Sequence, residues 1–538
     1  MLTRVVAARV SGRRAIAWSA VALLALGVAA AFRTYALGSQ IVIDDEWHAL
    51  HKVMRAGLAS ILTELDYADF SIPVALYYSA LRNTIGISEW TMRAPMVVAG
   101  IALVALAPWL ARAWTPRAVG VTWSILLAIS PMLVYLSRTA RPYAITALTS
   151  TVAIVAFERW RRGEVHRTRW ATAYVIATVL GGWLHMLSLA FTLTPFLYFG
   201  AKALGDRAAL SRVVRLGLVT ALLLAVVLLP PIVNDWSRFV AKAGQDSVTW
   251  QTLERTTLMV AGTGHPVVGL AFVALVALGW LRWWRRDRDL AAYALTLVAV
   301  GAIAIAAARP NWVQYALVFG RYLIPVVPLL LLLAAEGLVG AIALRSDALR
   351  AGAVAAIAIL LVASGPLPAQ WYAPNQFTSH QRFQFDYDDA HSPYVTQRVP
   401  GVPPFYRELA RAPAGSLTVV VTPWRLESHF DPHVWYQAAH RQKVLIGMLT
   451  PLCGRRDFGE YPEGERGMRL ANAAHIEALL RGDTRGADFL VVHLRPWSTP
   501  PGQDVPWPDL AQCLPDIERA LGAPVYRDQE IVAFSLRK

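Results

Sequence analysis

From about residue 15 to residue 366 the sequence runs as apolar stretches separated by short polar connections. Each stretch is close to the roughly 20 residues that a helix needs to cross a bilayer with every backbone group bonded within the segment. Eleven such spans are read, at 15–36, 92–111, 118–136, 142–158, 170–184, 186–201, 216–233, 266–282, 289–308, 322–343 and 350–366. One connection, 38–91, is far longer than a link between helices requires. Beyond residue 366 the pattern changes to prolines, polar residues and short β-branched runs. "LTVVVT" (417–422), "KVLIGML" (443–449) and "DFLVVHL" (488–494) predict buried strands, with helices over "NAAHIEALLRG" (472–482) and "LPDIERALG" (514–522). The expected fold is therefore a multi-pass α-helical membrane domain over 1–366, followed by a small α/β domain over 367–538.

Composition agrees, with 56% hydrophobic and only 16% charged residues among 538. The charges also orient the spans, because short cytoplasmic loops hold the excess of Lys and Arg. Arg4, Arg9, Arg13 and Arg14 precede the first span, and every even connection is basic, as in Arg159, Arg161, Arg162, Arg167 and Arg169 after the fourth. The N-terminus is thus expected in the cytoplasm of a cell membrane and the C-terminal domain outside. Of the 51 basic residues behind the net charge of +15, 21 sit in these loops, so topology explains them and nucleic-acid binding is set aside. The first span has an apolar part longer than 20 residues with no small-residue cleavage site after it, which reads as a retained anchor. Cys453 and Cys513 both fall in the external domain, where they either pair or stay free; sequence does not fix their distance.

The long first external loop opens with "IDDEWHALHK" (43–52), three acids, two histidines and a lysine directly after an apolar span. From Glu46 to Ser60, Trp47, Leu50, Met54, Leu58 and Ile61 form one apolar stripe, predicting a helix lying on the membrane surface, with a second over about 74–86. Asp44, Asp45 and Glu46 stand at its start, where one acid suffices to cap a helix. Three acids beside hydrocarbon are costly enough to suggest a chemical task. His48 and His51 with Asp44 could ligate a metal, although two histidines three apart are as well read as surface residues.

Taken in order, Asp45-Glu46, Asp69, Pro73, Tyr77-Tyr78, Ser88-Glu89, Arg93 and Pro95 resemble the polyprenyl-phosphate-dependent glycosyltransferases of the C fold (GT-C), a group that includes protein O-mannosyltransferases and lipid A aminoarabinose transferases. "SRTARPYAITAL" (137–148) and "GRYLIPVVPLLLLLAAEGL" (320–338) extend the likeness, which spans about 370 residues. The resemblance implies transfer of a sugar from a polyprenyl phosphate to a hydroxyl outside the cytoplasmic membrane, the acceptor being a glycolipid, glycan or protein. Asp45 matches the family's catalytic acid, and general-base removal of the acceptor proton needs such a carboxylate. Glu46 would orient the acceptor or the loop, or cap the helix.

The leaving phosphate calls for cations and donors at the membrane boundary. Arg138, Arg141, Tyr143, Arg321, Tyr322 and Lys52 are the candidates, interfacial anchoring being their other reading. Asp44, His48, Asp69 and Tyr78 complete the expected substrate-binding set. Where the family often shows His-Pro-Pro, this chain has Ser71-Ile72-Pro73, and the second external loop reads Ser137-Arg138-Thr139-Ala140-Arg141 with no acid to hold a divalent metal. Metal-independent transfer without a cofactor is expected. Two rivals remain, a secondary transporter and a polymerase or ligase of lipid-linked glycans; the first would carry acids near mid-membrane, where these spans have almost none.

Overall fold

The computed structural model describes residues 2–42, 46–65, 70–163, 166–244, 246–342, 344, 346–368, 401–423, 433–449, 452, 467–495 and 509–537, and within these the side chains from residue 18 onward except those of 55, 433–435 and 438. The chain divides into two compact units: Met1–Tyr35 with Lys52–Tyr77 and Arg93–Pro366, and Ala36–His51 with Tyr78–Met92 and Leu367–Lys538.

The first unit is helical. Among the described residues, seven helices are long and apolar enough to cross a membrane, and two bent helix pairs raise the number to nine. All eleven predicted spans fall on helices. The two below that measure, Tyr143–Arg161 and Arg167–Leu184, carry charged residues in their terminal turns, so their apolar part is short. Leu218, Leu222, Val226, Leu229 and Val233 are exposed along Arg207–Asn234, as lipid-facing side chains of a spanning helix would be. Between Pro266–Arg286 and Val327–Ala341, Gly279 lies against the Leu333 carbonyl and Gly337 against that of Leu275, leaving no room for a β-carbon. Small residues permit that close backbone approach, which is how apolar helices gain packing energy without a hydrophobic drive between them.

Both bends have a chemical cause. Arg117–Ile129 and Pro131–Arg138 meet at 56°, with Pro131 lacking the N–H that would continue the helix. The carbonyls freed by this break are taken by Arg33, which is 1% exposed and donates to Leu127 O at 3.0 Å, Ala128 O at 3.1 Å and Ser137 Oγ at 3.2 Å. The second pair, Ala316–Leu323 and Val327–Ala341, turns by 84° around Pro325 and Pro328. Trp123 Nε1 donates to the Pro328 carbonyl at 2.8 Å.

The second unit holds a six-stranded sheet of β1 (Thr418–Thr422), β2 (Lys443–Met448), β3 (Ala473–His475), β4 (Phe489–His493), β5 (Tyr526–Arg527) and β6 (Ile531–Ser535), in the order β3-β2-β1-β4-β6-β5. Strands β1 to β4 pair in parallel, and β6 runs antiparallel to β4 and β5. Val419, Val420, Val421, Leu490, Val491 and Val492 are all buried, as expected where helices cover both faces of a parallel sheet. The three predicted strands are present. The helix predicted over 472–482 is instead the strand β3 followed by the short helix Ile476–Leu480. An alanine-rich edge segment has weak strand propensity of its own, and β3 exists because β2 offers it backbone partners. The final hairpin strands were not predicted.

In the first loop, the helix predicted over Glu46 to Ser60 is broken. It runs Trp47–Arg55 and Leu58–Thr63, with Gly57 capping the second piece. Trp47 and Leu50 are buried as the stripe requires, whereas Leu58, beyond the break, is 61% exposed. The second loop helix is Ile72–Arg82. Cys513 is disulfide-bonded; Cys453 lies outside the described residues.

Candidate functional site

Arg141, Tyr143, Arg321 and Tyr322, more than 170 residues apart in sequence, come together in the first unit. Arg141 occupies the turn after Pro131–Arg138, its N–H bonded to the Thr139 carbonyl at 2.7 Å. Pro142 then fixes the backbone for the helix that starts at Tyr143. Arg321 and Tyr322 stand in the last turn of Ala316–Leu323, directly before the 84° bend. The Arg141 guanidinium carbon lies 5.9 Å from the centre of the Tyr143 ring, and that of Arg321 lies 5.4 Å from it. Both arginines are buried.

His185, at the C-terminus of Arg167–Leu184, completes the group. Its ring centre is 5.4 Å from that of Tyr143, edge to face, and 5.7 Å from that of Tyr322. Burial, and then the charges of Arg141 and Arg321, lower its pKa to about 3, so the imidazole is neutral. Its Nδ1 is buried and makes no hydrogen bond among the described residues. Two buried guanidinium groups on one phenol ring, beside a neutral imidazole, form a position where an anion with several oxygens gains charge-assisted hydrogen bonds. Sequence reasoning missed His185. Its signal is a lone polar ring between two apolar runs, at the end of the bundle where Arg141 stands.

The remaining candidates are placed as follows. Arg138 is buried and donates to the carbonyls of Phe32 at 3.1 Å and Tyr35 at 2.7 Å, closing the C-terminus of the first helix. Lys52 is buried and donates to the Glu64 carbonyl at 2.6 Å. Leu65, the next residue, is tied further: its N–H donates to Asp235 at 2.7 Å and its carbonyl accepts from Arg238 at 2.6 Å. In the second unit, Glu46 is 1% exposed, and Trp47 beside it donates to the Val42 carbonyl at 2.8 Å. His48 is half-buried one residue on. Tyr78 is fully buried, its hydroxyl 3.4 Å from the Met92 carbonyl it donates to. Asp44, Asp45 and Asp69 lie outside the described residues. Among the described residues, no three His, Cys, Asp or Glu side chains gather as a metal site would require.

No family model matches the sequence, and no curated protein matches it. Solved structures that it is similar to include ArnT from Cupriavidus metallidurans in the apo state, 15% identical with 98% of each chain covered and a TM-score of 0.47. The same protein bound to undecaprenyl phosphate is 14% identical over 96% of this chain and 98% of that one, also at 0.47. The archaeal oligosaccharyltransferase AglB from Archaeoglobus fulgidus, in complex with an inhibitory peptide and a dolichol-phosphate, is 14% identical over 88% of this chain and 69% of that one, at 0.43.

Proposed function

We propose that the chain is a membrane glycosyltransferase of the GT-C type. It moves a sugar from a polyprenyl-phosphate donor to a hydroxyl of an extracytoplasmic glycolipid, glycan or protein. The observation that carries this reading is the convergence of Arg141 and Arg321 on Tyr143, with neutral His185 alongside. As the glycosidic bond breaks, negative charge grows on the phosphate oxygens, and donors fixed beforehand stabilise it more than they stabilise the ground state. Arg141 and Arg321 hold the phosphate, His185 donates one further hydrogen bond without adding charge, and Tyr143 and Tyr322 wall the site.

Asp45 takes the proton from the attacking hydroxyl, as the resemblance assigns it, and Glu46 orients the loop around it. Asp44, His48, Lys52, Asp69, Tyr78 and Arg138 serve substrate binding or the loop that provides it. No metal is needed in this scheme, because the guanidinium groups supply the positive charge. A secondary transporter fits less well. The two helix breaks carry Arg33 and Arg321, and an ion-coupled carrier would place carboxylates at such breaks.

The test is donor binding by the purified protein. Arg141→Ala and Arg321→Ala should each weaken polyprenyl-phosphate binding about tenfold or more, the value of one charge-assisted hydrogen bond, without loss of folding. Unchanged affinity in both variants would leave these residues as interfacial anchors and remove the basis for the reading.

A further inference from the structure

The opposite end of the same unit contains a cavity that the transfer reading does not use. It is an open hollow of about 270 Å³ and lies about 27 Å from the Tyr143 cluster along the helix Tyr143–Arg161. Four cations line it, Arg161, Arg167, Lys202 and Arg212, against two carboxylates, Asp206 and Asp289. Trp160 and Phe199 provide its apolar wall.

The two carboxylates are already committed. Asp289 pairs with Arg161 at 2.8 Å and with Lys202, and Arg161 also meets Glu158 at 2.8 Å. Asp206 accepts the N–H groups of Ala208 and Ala209 at 2.9 and 3.0 Å, capping the helix Arg207–Asn234. Among the described residues, Arg167 makes no ion pair and its Nε is buried without a hydrogen-bond partner, while Arg212 forms no close ion pair and meets only the longer-range charge of Asp206. The Arg167 guanidinium lies over the Trp160 ring at 5.3 Å and that of Arg161 over Phe199 at 4.2 Å, which holds both planes in place.

The site also lies where apolar helices end, which is the depth of a headgroup for helices that cross a bilayer. Three helices apolar enough to span begin or end here, Met186–Gly205, Arg207–Asn234 and Arg288–Ala308. A hollow of this size suits a phosphodiester with its glycerol rather than a whole drug-sized ligand.

We propose that this cavity binds a phosphate-bearing anion at the membrane surface, with Arg167 and Arg212 as its principal ligands. Basic hollows between membrane helices take phospholipid headgroups by such contacts, and a soluble phosphate ester offers the same chemistry. The proposal needs only that the helices lie in a bilayer and is independent of the transfer reaction.

The experiment compares lipids retained by the purified full-length chain, using phosphatidylglycerol and phosphatidylcholine in separate nanodiscs, and adds glycerol 3-phosphate as a competitor. The wild type should retain phosphatidylglycerol about tenfold better than phosphatidylcholine, and the Arg167→Gln/Arg212→Gln variant should lose that preference. Arg167→Lys/Arg212→Lys keeps the charge and should keep most of it. Displacement by glycerol 3-phosphate at comparable concentration assigns the site to a soluble ester, and resistance to it assigns the site to the lipid. A wild type that binds neither phosphate compound above phosphatidylcholine, or a Gln variant that retains phosphatidylglycerol as before, overturns the proposal.

Discussion

The buried carboxylate of Glu89 accepts hydrogen bonds from both the backbone N–H and the side-chain amide of Asn472, at 2.8 and 3.0 Å, and from Ala471 N–H at 3.0 Å. Ser88 next to it exchanges hydrogen bonds with Thr91 and so caps the helix Glu89–Ala111. Asn472 reaches on to the Gly38 carbonyl at 2.8 Å, and Ile87 pairs backbone to backbone with Gly467 and Arg469. The Ser-Glu pair that carries part of the family resemblance is therefore a clamp, which holds both ends of the 38–91 loop to the C-terminal part of the chain.

Glu89→Ala should destabilise the second unit by on the order of 3 kcal/mol, because three donors lose a charged acceptor in a buried place. Glu89→Gln should cost less, since one oxygen remains. The comparison is made by thermal melting of the purified protein, and equal melting points for all three forms would show that the clamp is dispensable.

Asp45→Asn keeps the size and capping ability of the side chain. It should leave donor binding intact and lower turnover about 100-fold or more, the usual contribution of a general base. Asp44→Asn should be milder. Full turnover in Asp45→Asn with its loss in Asp44→Asn would move the base by one residue; survival in both would make these acids caps.

Because the His185 pKa lies near 3, the imidazole stays neutral across the working range. The affinity for a phosphodiester donor, which has no ionisation of its own there, should be flat between pH 8 and pH 5. An affinity that rises as pH falls through 6.5 would mean that the imidazole binds as a cation, against this assignment.

In the second unit, burial lowers the pKa of His440 to about 3 and of His493 to about 4, the latter despite the nearby Asp528. Each ring is used neutral: His440 Nδ1 accepts Gln442 N–H at 3.0 Å, and His493 Nε2 meets the Tyr406 hydroxyl at 2.8 Å. A histidine whose folded pKa is depressed costs nothing above pH 6.5. It removes stability as pH falls below that value, because the unfolded chain takes up the proton first. The sheet should lose about 2 kcal/mol per histidine by pH 5, read as hydrogen-exchange protection of the β1 and β4 amides corrected for intrinsic rates. His493→Gln should flatten part of that slope.

A reporter fused after Lys538 should be active only outside the cytoplasm, since the eleven predicted spans, an odd number, would separate it from the arginine-rich N-terminus. Activity inside the cytoplasm would overturn the span count and put Asp45 on the wrong side.

The sequence by itself determined the features that a local period or a local excess of charge can encode. These include the apolar runs that became helices and the central strands β1, β2 and β4. Each is visible within about 20 residues, because bilayer thickness and the buried faces of a sheet impose length and composition directly. Tertiary structure alone decided which of these elements meet. Arg321 reaches Tyr143 only because a proline-rich bend stops its helix there, and His185 joins them from a third helix end. Arg33 is tolerable inside the bundle only because Pro131 frees carbonyls on another helix. Glu89 is a clamp only because Asn472 lies 383 residues further along the chain. Strand β3 and the closing hairpin likewise depend on partners distant in sequence, since a short strand gains its hydrogen bonds from its neighbours and not from its own residues.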